Sequence, residues 1–176
     1  GANAAHVTFR AYNSNGQLIP QAGMTNPAPI ETPLPSLQQY VRMSQSLFGS
    51  GSPLGLTQGW IDIESPVPTV SGFFLLGHIE GSAINQMDGA DVSHMSSSRV
   101  IFPVLGKDAG RNTELFIVNP HGSPATGNLV VMNSAGQTIQ TTPLSLNAHG
   151  FYENSFDASV VTGDGYFDVT MTSGEV

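Results

Sequence analysis

Val7-Thr8-Phe9-Arg10-Ala11-Tyr12-Asn13-Ser14-Asn15-Gly16-Gln17-Leu18-Ile19 recurs later in the chain as Gly127-Asn128-Leu129-Val130-Val131-Met132-Asn133-Ser134-Ala135-Gly136-Gln137-Thr138-Ile139. Both stretches read as strand, Asn-Ser-x-Gly-Gln turn, strand. Alternation places Phe9 and Ala11 on one face of the first strand and Arg10 and Tyr12 on the other. Asn15-Gly16 alone would suit a two-residue turn with both residues at positive φ. The second copy has Ala135 at the place of Asn15, and alanine resists positive φ. The turn common to both is therefore a longer loop, with Gly16 or Gly136 alone in the left-handed region and a bulge beside it.

Two further echoes follow in the same order. Thr32-Pro33-Leu34 matches Thr142-Pro143-Leu144, and Gly59-Trp60-Ile61-Asp62-Ile63 matches Gly165-Tyr166-Phe167-Asp168-Val169. Three echoes in one order read as an internal repeat whose first copy carries the longer loops. The expected fold is all-β: an antiparallel β-sandwich, immunoglobulin-like or jelly-roll-like, made of two related repeats. Residues 1–79 form the first, which lacks initial strands like Val100–Leu105 and Thr113–Asn119. Residues 80–98, rich in Gly, Ser, Asn and Asp, read as a linker. Residues 99–176 form the second, which lacks a final strand like Val70–Gly77. If Val70–Gly77 completes the second copy instead, the two make one continuous sandwich. The Pro-bearing stretch 20–36 can be neither a central strand nor a helix interior. Gly49–Pro53 and Gly106–Asn112 read as loops.

Composition narrows the function. Charged residues make up 10% of the 176, and the formal net charge is -8. The five basic residues are scattered singly, so no basic stripe exists for nucleic acid or anionic lipid. There is no Cys, which excludes disulfides and thiolate metal sites. No apolar run approaches the ~20 residues of a membrane-spanning helix. No signal peptide is visible, so secretion implies a leader already removed.

The pattern resembles tandem β-sandwich repeats found in large secreted or surface proteins of bacteria. The residues that carry the likeness are Phe102-Pro103, Thr113, Leu115, Asn119-Pro120, Ala135-Gly136, Gly165 to Val169, and Gly72-Phe73 through Gly77. These are turn and core signatures. The resemblance implies a structural or adhesive module outside the cytoplasm (secreted, at the cell surface or periplasmic) and brings no catalytic residues with it.

The candidate ligand-binding residues come from alternation. Ile61 and Ile63 share one face, as do Phe167, Val169 and Met171, and these are the expected core faces. Trp60 and Asp62, and likewise Tyr166 and Asp168, then share the opposite face. An outward ring beside a carboxylate suits a sugar: the ring stacks on the apolar face of a pyranose and the acid accepts from hydroxyls. The plainer alternative is that this face is covered by a loop or a neighbouring unit. Asp88, Asp91 and His94 are weak metal candidates, too few for calcium or a transition metal. Glu153, Asp157 and Asp164 are no better as a calcium set. The five His show no zinc-hydrolase spacing, and there is no G-x-S-x-G elbow.

The expected function is thus a non-enzymatic extracellular structural or adhesion module that needs no cofactor. A carbohydrate-binding module using outward aromatics is the alternative, and a hydrolase with dispersed acidic residues ranks third. Expected partners are neighbouring repeats of the same polypeptide, and a glycan or cell-surface protein. Nucleic acid and membrane insertion are not expected. Cut strand edges offer a route to a homodimer.

Overall fold

The computed structural model describes residues 4–19, 23–30, 32–49, 58–80, 83–93, 95–103, 112–157, 160 and 164–176. Within them run β1 (Thr8–Tyr12), β2 (Ala28–Pro29), α1 (Ser44–Phe48), β3 (Trp60–Glu64), β4 (Phe73–Glu80), β5 (Ala83–Asp91), β6 (Arg99–Phe102), β7 (Asn112–Val118), β8 (Ala125–Asn133), β9 (Thr138–Leu146), β10 (Phe151–Asp157) and β11 (Gly165–Ser173). The protein is nearly all β, and every strand pairing is antiparallel. Most of the two expected loops, 50–53 and 106–111, lies outside the described residues, as does His94.

The C-terminal half holds the largest core. It contains a four-stranded sheet in the order β6-β11-β8-β9 and a two-stranded sheet β10-β7, whose buried side chains share one cluster. Alternation along β8 and β11 turns Leu129, Val131, Phe167 and Val169 inward, where no part of them reaches solvent. Leu115, Ile117 and Phe156 from the smaller sheet close over them in one cluster. The rings of Phe156 and Phe167 meet at 4.8 Å, tilted by 53°, a geometry that suits the charge distribution of two aromatic faces. Each such side chain, fully removed from water, stabilises the fold by roughly 1.5–3 kcal/mol.

The N-terminal half has a three-stranded sheet in the order β2-β1-β3. Its register repeats that of the larger sheet. Tyr12 stands opposite Trp60 and Arg10 opposite Asp62, just as Met132 stands opposite Tyr166 and Val130 opposite Asp168. The two turns also share their hydrogen bonds. Asn13 N donates to Gln17 O and Gly16 N to Asn13 O, both at 2.9 Å, while Asn13 Oδ1 accepts from Asn15 N and Gln17 N at 3.0 Å. In the second turn Asn133 N reaches Gln137 O and Gly136 N reaches Asn133 O at 3.0 Å; Asn133 Oδ1 accepts from Ala135 N at 3.0 Å and Gln137 N at 2.9 Å. Gly16 and Gly136 sit at φ 77° and 74°, and Asn15 is not at positive φ, as the Ala135 argument required.

The Thr-Pro-Leu echo is displaced. Pro143 stands opposite Asn128, but the residue opposite Thr8 at the matching place is Pro29, not Pro33. The Thr-Pro-Leu triple matched by residue type, whereas the sheet matches by position. Leu34 nonetheless bridges Ala5 as Leu146 pairs with Ala125.

Two expectations are corrected by the way strands are covered. Residues 80–98 were expected to be a linker, yet β5 lies within them and forms a hairpin with β4. Val70–Gly77 contributes to that hairpin through β4 and pairs with neither larger sheet. Of the expected core pair, Ile63 packs against the Ala5, Val7 and Ile30 cluster, but Ile61 is 39% exposed where its counterpart Phe167 is 0%. Phe167 lies beneath Phe156 of β10, and no pair like β7–β10 covers β3 among the described residues. Instead, Phe48 of α1 packs on Ala11 and Ala28.

Leu129→Ala tests the larger core. It leaves a cavity in a rigidly packed cluster and should cost about 2–5 kcal/mol in urea denaturation. A loss under about 1 kcal/mol would mean that the two sheets do not close over it.

Candidate functional site: a seam between the two halves

The candidate aromatic of the first half does not face solvent alone. Trp60 stacks on Tyr12, with ring centroids 5.3 Å apart, and Tyr12 stacks on His149 at 4.7 Å and 9°. The indole Nε1 donates to His149 O at 2.8 Å. Tyr12 lies opposite Trp60 and is buried to 8% exposure against the C-terminal half. This loss of solvent raises its phenol pKa, with Arg10 opposing.

The backbone makes the same contact. Phe151 N donates to Ser14 O at 3.3 Å, and Gln58 Nε2 donates to Glu153 Oε1 at 3.0 Å. Gly16 approaches so closely that a Cβ there would lie 1.7 Å from Ala148 O. The turn Asn13–Gln17 therefore docks on a knuckle, Asn147–Phe151, whose central residue His149 has φ 56°. Histidine is among the non-glycine residues that tolerate this region best.

Asn119 holds the knuckle from behind. It is fully buried, and its Nδ2 donates to Asn147 O and Ser123 O, both at 2.8 Å. Its Oδ1 accepts from His121 N at 3.0 Å, its own N donates to Gly150 O at 2.9 Å, and His149 N donates to His121 O at 3.0 Å. A buried amide so fully satisfied rigidifies what it binds. His149 Nδ1, by contrast, is buried with no hydrogen-bond partner, and the face of its ring stacks on Tyr12.

The other candidates are engaged differently. Asp168 accepts from Arg99 Nε at 3.0 Å and Nη2 at 2.6 Å, and from Thr170 Oγ1 at 3.3 Å. The guanidinium hydrogen bond holds its carboxyl below the usual range, against some desolvation. This pair ties edge strand β6 to β11. Asp62 is shifted the opposite way: burial raises its pKa, and Arg10 opposes that. Tyr166 is half-buried on the outward face of its sheet, opposite Met132. Trp60 and Tyr166 thus occupy equivalent places in two different sheets. Asp88 and Asp91 lie on β5, and among the described residues no three His, Asp or Glu side chains group to hold a metal. Among those residues, too, no helix is long and apolar enough to cross a membrane.

Tyr12, His149, Gly16 and Asn119 were not singled out from sequence as site residues. Tyr12 and His149 are far apart in the chain, and stacking between distant rings leaves no local pattern. Asn119 was visible only as the end of a strand before Pro120 and as part of the turn signature that carries the resemblance. No protein-family model matches this chain, and no curated protein or solved structure does either.

The two glycine turns give a paired test. Gly136→Ala meets no atom within 4 Å and should cost only the left-handed penalty of about 1–2 kcal/mol. Gly16→Ala carries the same penalty and also forces the seam apart, so it should cost clearly more in urea denaturation. Equal losses would mean that the docking contributes nothing.

The ion pair gives a pH test. With its folded pKa below 3.8, Asp168 contributes stability that is complete above 3.8 and lost as pH falls through the folded value. Asp168→Asn should therefore be less stable than wild type at about pH 7, with the gap closing towards about pH 2. A gap independent of pH would remove the ion pair from the account.

Proposed function

We propose that this protein is a non-enzymatic structural module, in which two related β-sandwich units are stacked as a stiff spacer or adhesion element outside a bacterial cell. The observation that carries this reading is the seam. The first unit's outward aromatic, the residue best suited to receive a ligand, is spent on holding the second unit. Its ring lies on Tyr12 and its indole N–H on His149 O. Four further observations support a repeat: the common register, the common turn, the Trp60–Tyr166 correspondence, and the Leu34–Ala5 and Leu146–Ala125 pairings. Neighbouring repeats of the same polypeptide are the partners this arrangement serves.

Carbohydrate binding is the second reading, and Tyr166 favours it, being half-exposed on its sheet. The acid beside it, however, has its oxygens occupied by Arg99 and Thr170.

Calorimetry and a glycan array together separate the readings. A stacked spacer should unfold in one cooperative transition, which Gly16→Ala splits in two, and should bind no glycan. Two independent transitions in the wild type would overturn the stacking. Saturable sugar binding abolished by Tyr166→Ala would establish the second reading instead.

A further inference from the structure

The seam has two complementary parts, and each part occurs a second time in the chain, with no such joint made by either duplicate among the described residues. The first part is the Asn13–Gln17 turn with Tyr12 and Trp60. Its duplicate is the Asn133–Gln137 turn with Met132 and Tyr166, in the same register and with the same hydrogen bonds. The docked turn lies against Ala148 and Gly150, whereas a Cβ on Gly136 would find no atom within 4 Å.

The second part is the knuckle around His149, and its duplicate surrounds Leu37. Leu37 at φ 63° and His149 at φ 56° are the non-glycine residues at positive φ among the described residues. Each stands three places after the leucine that pairs with a buried alanine, Leu34 with Ala5 and Leu146 with Ala125. Gln38 N donates to Pro35 O at 3.3 Å, as Gly150 N donates to Asn147 O at 3.0 Å. Tyr40 then stacks on Phe9 at 6.1 Å, and at the matching place Tyr152 packs on the core that contains Leu129.

The two knuckles differ in what covers them. His149 is covered by Tyr12, while Leu37 is fully exposed. A leucine held in the left-handed region and fully in water carries both backbone strain and unfavourable hydration.

The geometry points to end-to-end association of this protein: the Leu37 knuckle of one copy docks on the Asn133–Gln137 turn, Met132 and Tyr166 of a second copy, repeating between chains the joint already made within each. The chemistry of the two surfaces is complementary. An apolar side chain on the knuckle meets a thioether and a phenol ring, where in the internal joint the His149 ring meets Tyr12 and its carbonyl meets the Trp60 indole. The two surfaces are built from different residues, so a single knuckle-to-turn contact leaves one free surface of each kind on the pair. It extends into a chain of copies unless a reciprocal two-fold pairing or a closed ring uses both surfaces. The inference rests on the stacked-module reading and adds which surfaces join and in which direction.

Two substitutions block one surface each without disturbing the backbone, because asparagine accepts positive φ. Leu37→Asn removes the apolar knuckle, and Gly136→Asn places a side chain where the equivalent glycine needs contact with backbone. Sedimentation velocity should show wild type as a concentration-dependent series of oligomers, and each variant as a monomer that still melts cooperatively, Leu37→Asn no lower than wild type. An equimolar mixture of the two variants retains one good surface of each kind. It should form dimers and nothing larger. Wild type that remains a monomer up to ~1 mM, near the weak limit of specific association, would overturn the proposal. So would a mixture that stays monomeric, or variants that associate as wild type does. If wild type is monomeric yet melts in a single transition that Gly16→Ala splits, only the joint between copies fails. If it melts in two independent transitions, the stacked-module reading fails with it.

Discussion

Among the described residues, the joint between the two halves of this protein is centred on one close approach of backbone to backbone. Gly16 fits against Ala148 and Gly150 for two separate reasons: its φ of 77° and the 1.7 Å that would separate a Cβ from Ala148 O. Close approach brings Ser14 O to Phe151 N and lets the Trp60 indole reach His149 O. Asn119 makes this possible from the far side, since a knuckle free to move would not present its carbonyl to an indole.

The joint matters because the halves are unequal. The C-terminal core brings two sheets together over Leu129, Val131, Phe167 and Val169. The N-terminal half has small clusters built on Ala5, Val7 and Ile30, and on Ala11, Ala28 and Phe48. Alanine offers little apolar area, so hydrophobic burial stabilises this half less. Ile61, left uncovered, marks the place where a second sheet lies in the other half. The N-terminal half therefore draws a larger share of its order from the seam, and local opening would begin there.

Much of the secondary structure was legible in the sequence because it rests on period and on turn chemistry. Alternation placed Phe167, Val169 and Met171 inside, and all three are buried. Ala135 excluded the two-residue turn, and Gly16 and Gly136 alone took positive φ in the two loops. Pairing partners were less legible. The Thr-Pro-Leu match slipped by four residues, because a proline identifies itself by type while the sheet assigns it by register. The β5 strand was missed because Asn, Asp, Gly and Ala, which make up most of it, are depleted in strands; its order comes from pairing with β4. The site was least legible. Ring stacking between Tyr12 and His149 depends on tertiary placement, and no spacing in the chain encodes it.

The substitutions between the two copies of the joint follow a physical logic. Trp60 has an indole N–H that reaches a carbonyl on the knuckle, and Tyr12 adds a second ring. In the other copy Tyr166 and Met132 stand at these places; neither has an indole donor, and Met replaces a rigid ring with a flexible, polarisable chain. His149 tolerates positive φ well, whereas Leu37 tolerates it poorly. Each change weakens the second joint relative to the first. The internal joint also has the advantage of tethering, because the two surfaces belong to one chain and meet at high effective concentration. A joint between copies has neither the extra hydrogen bond nor the tether. The sequence differences thus separate a permanent joint within the chain from a reversible one between chains, although both are built on the same turn and the same knuckle.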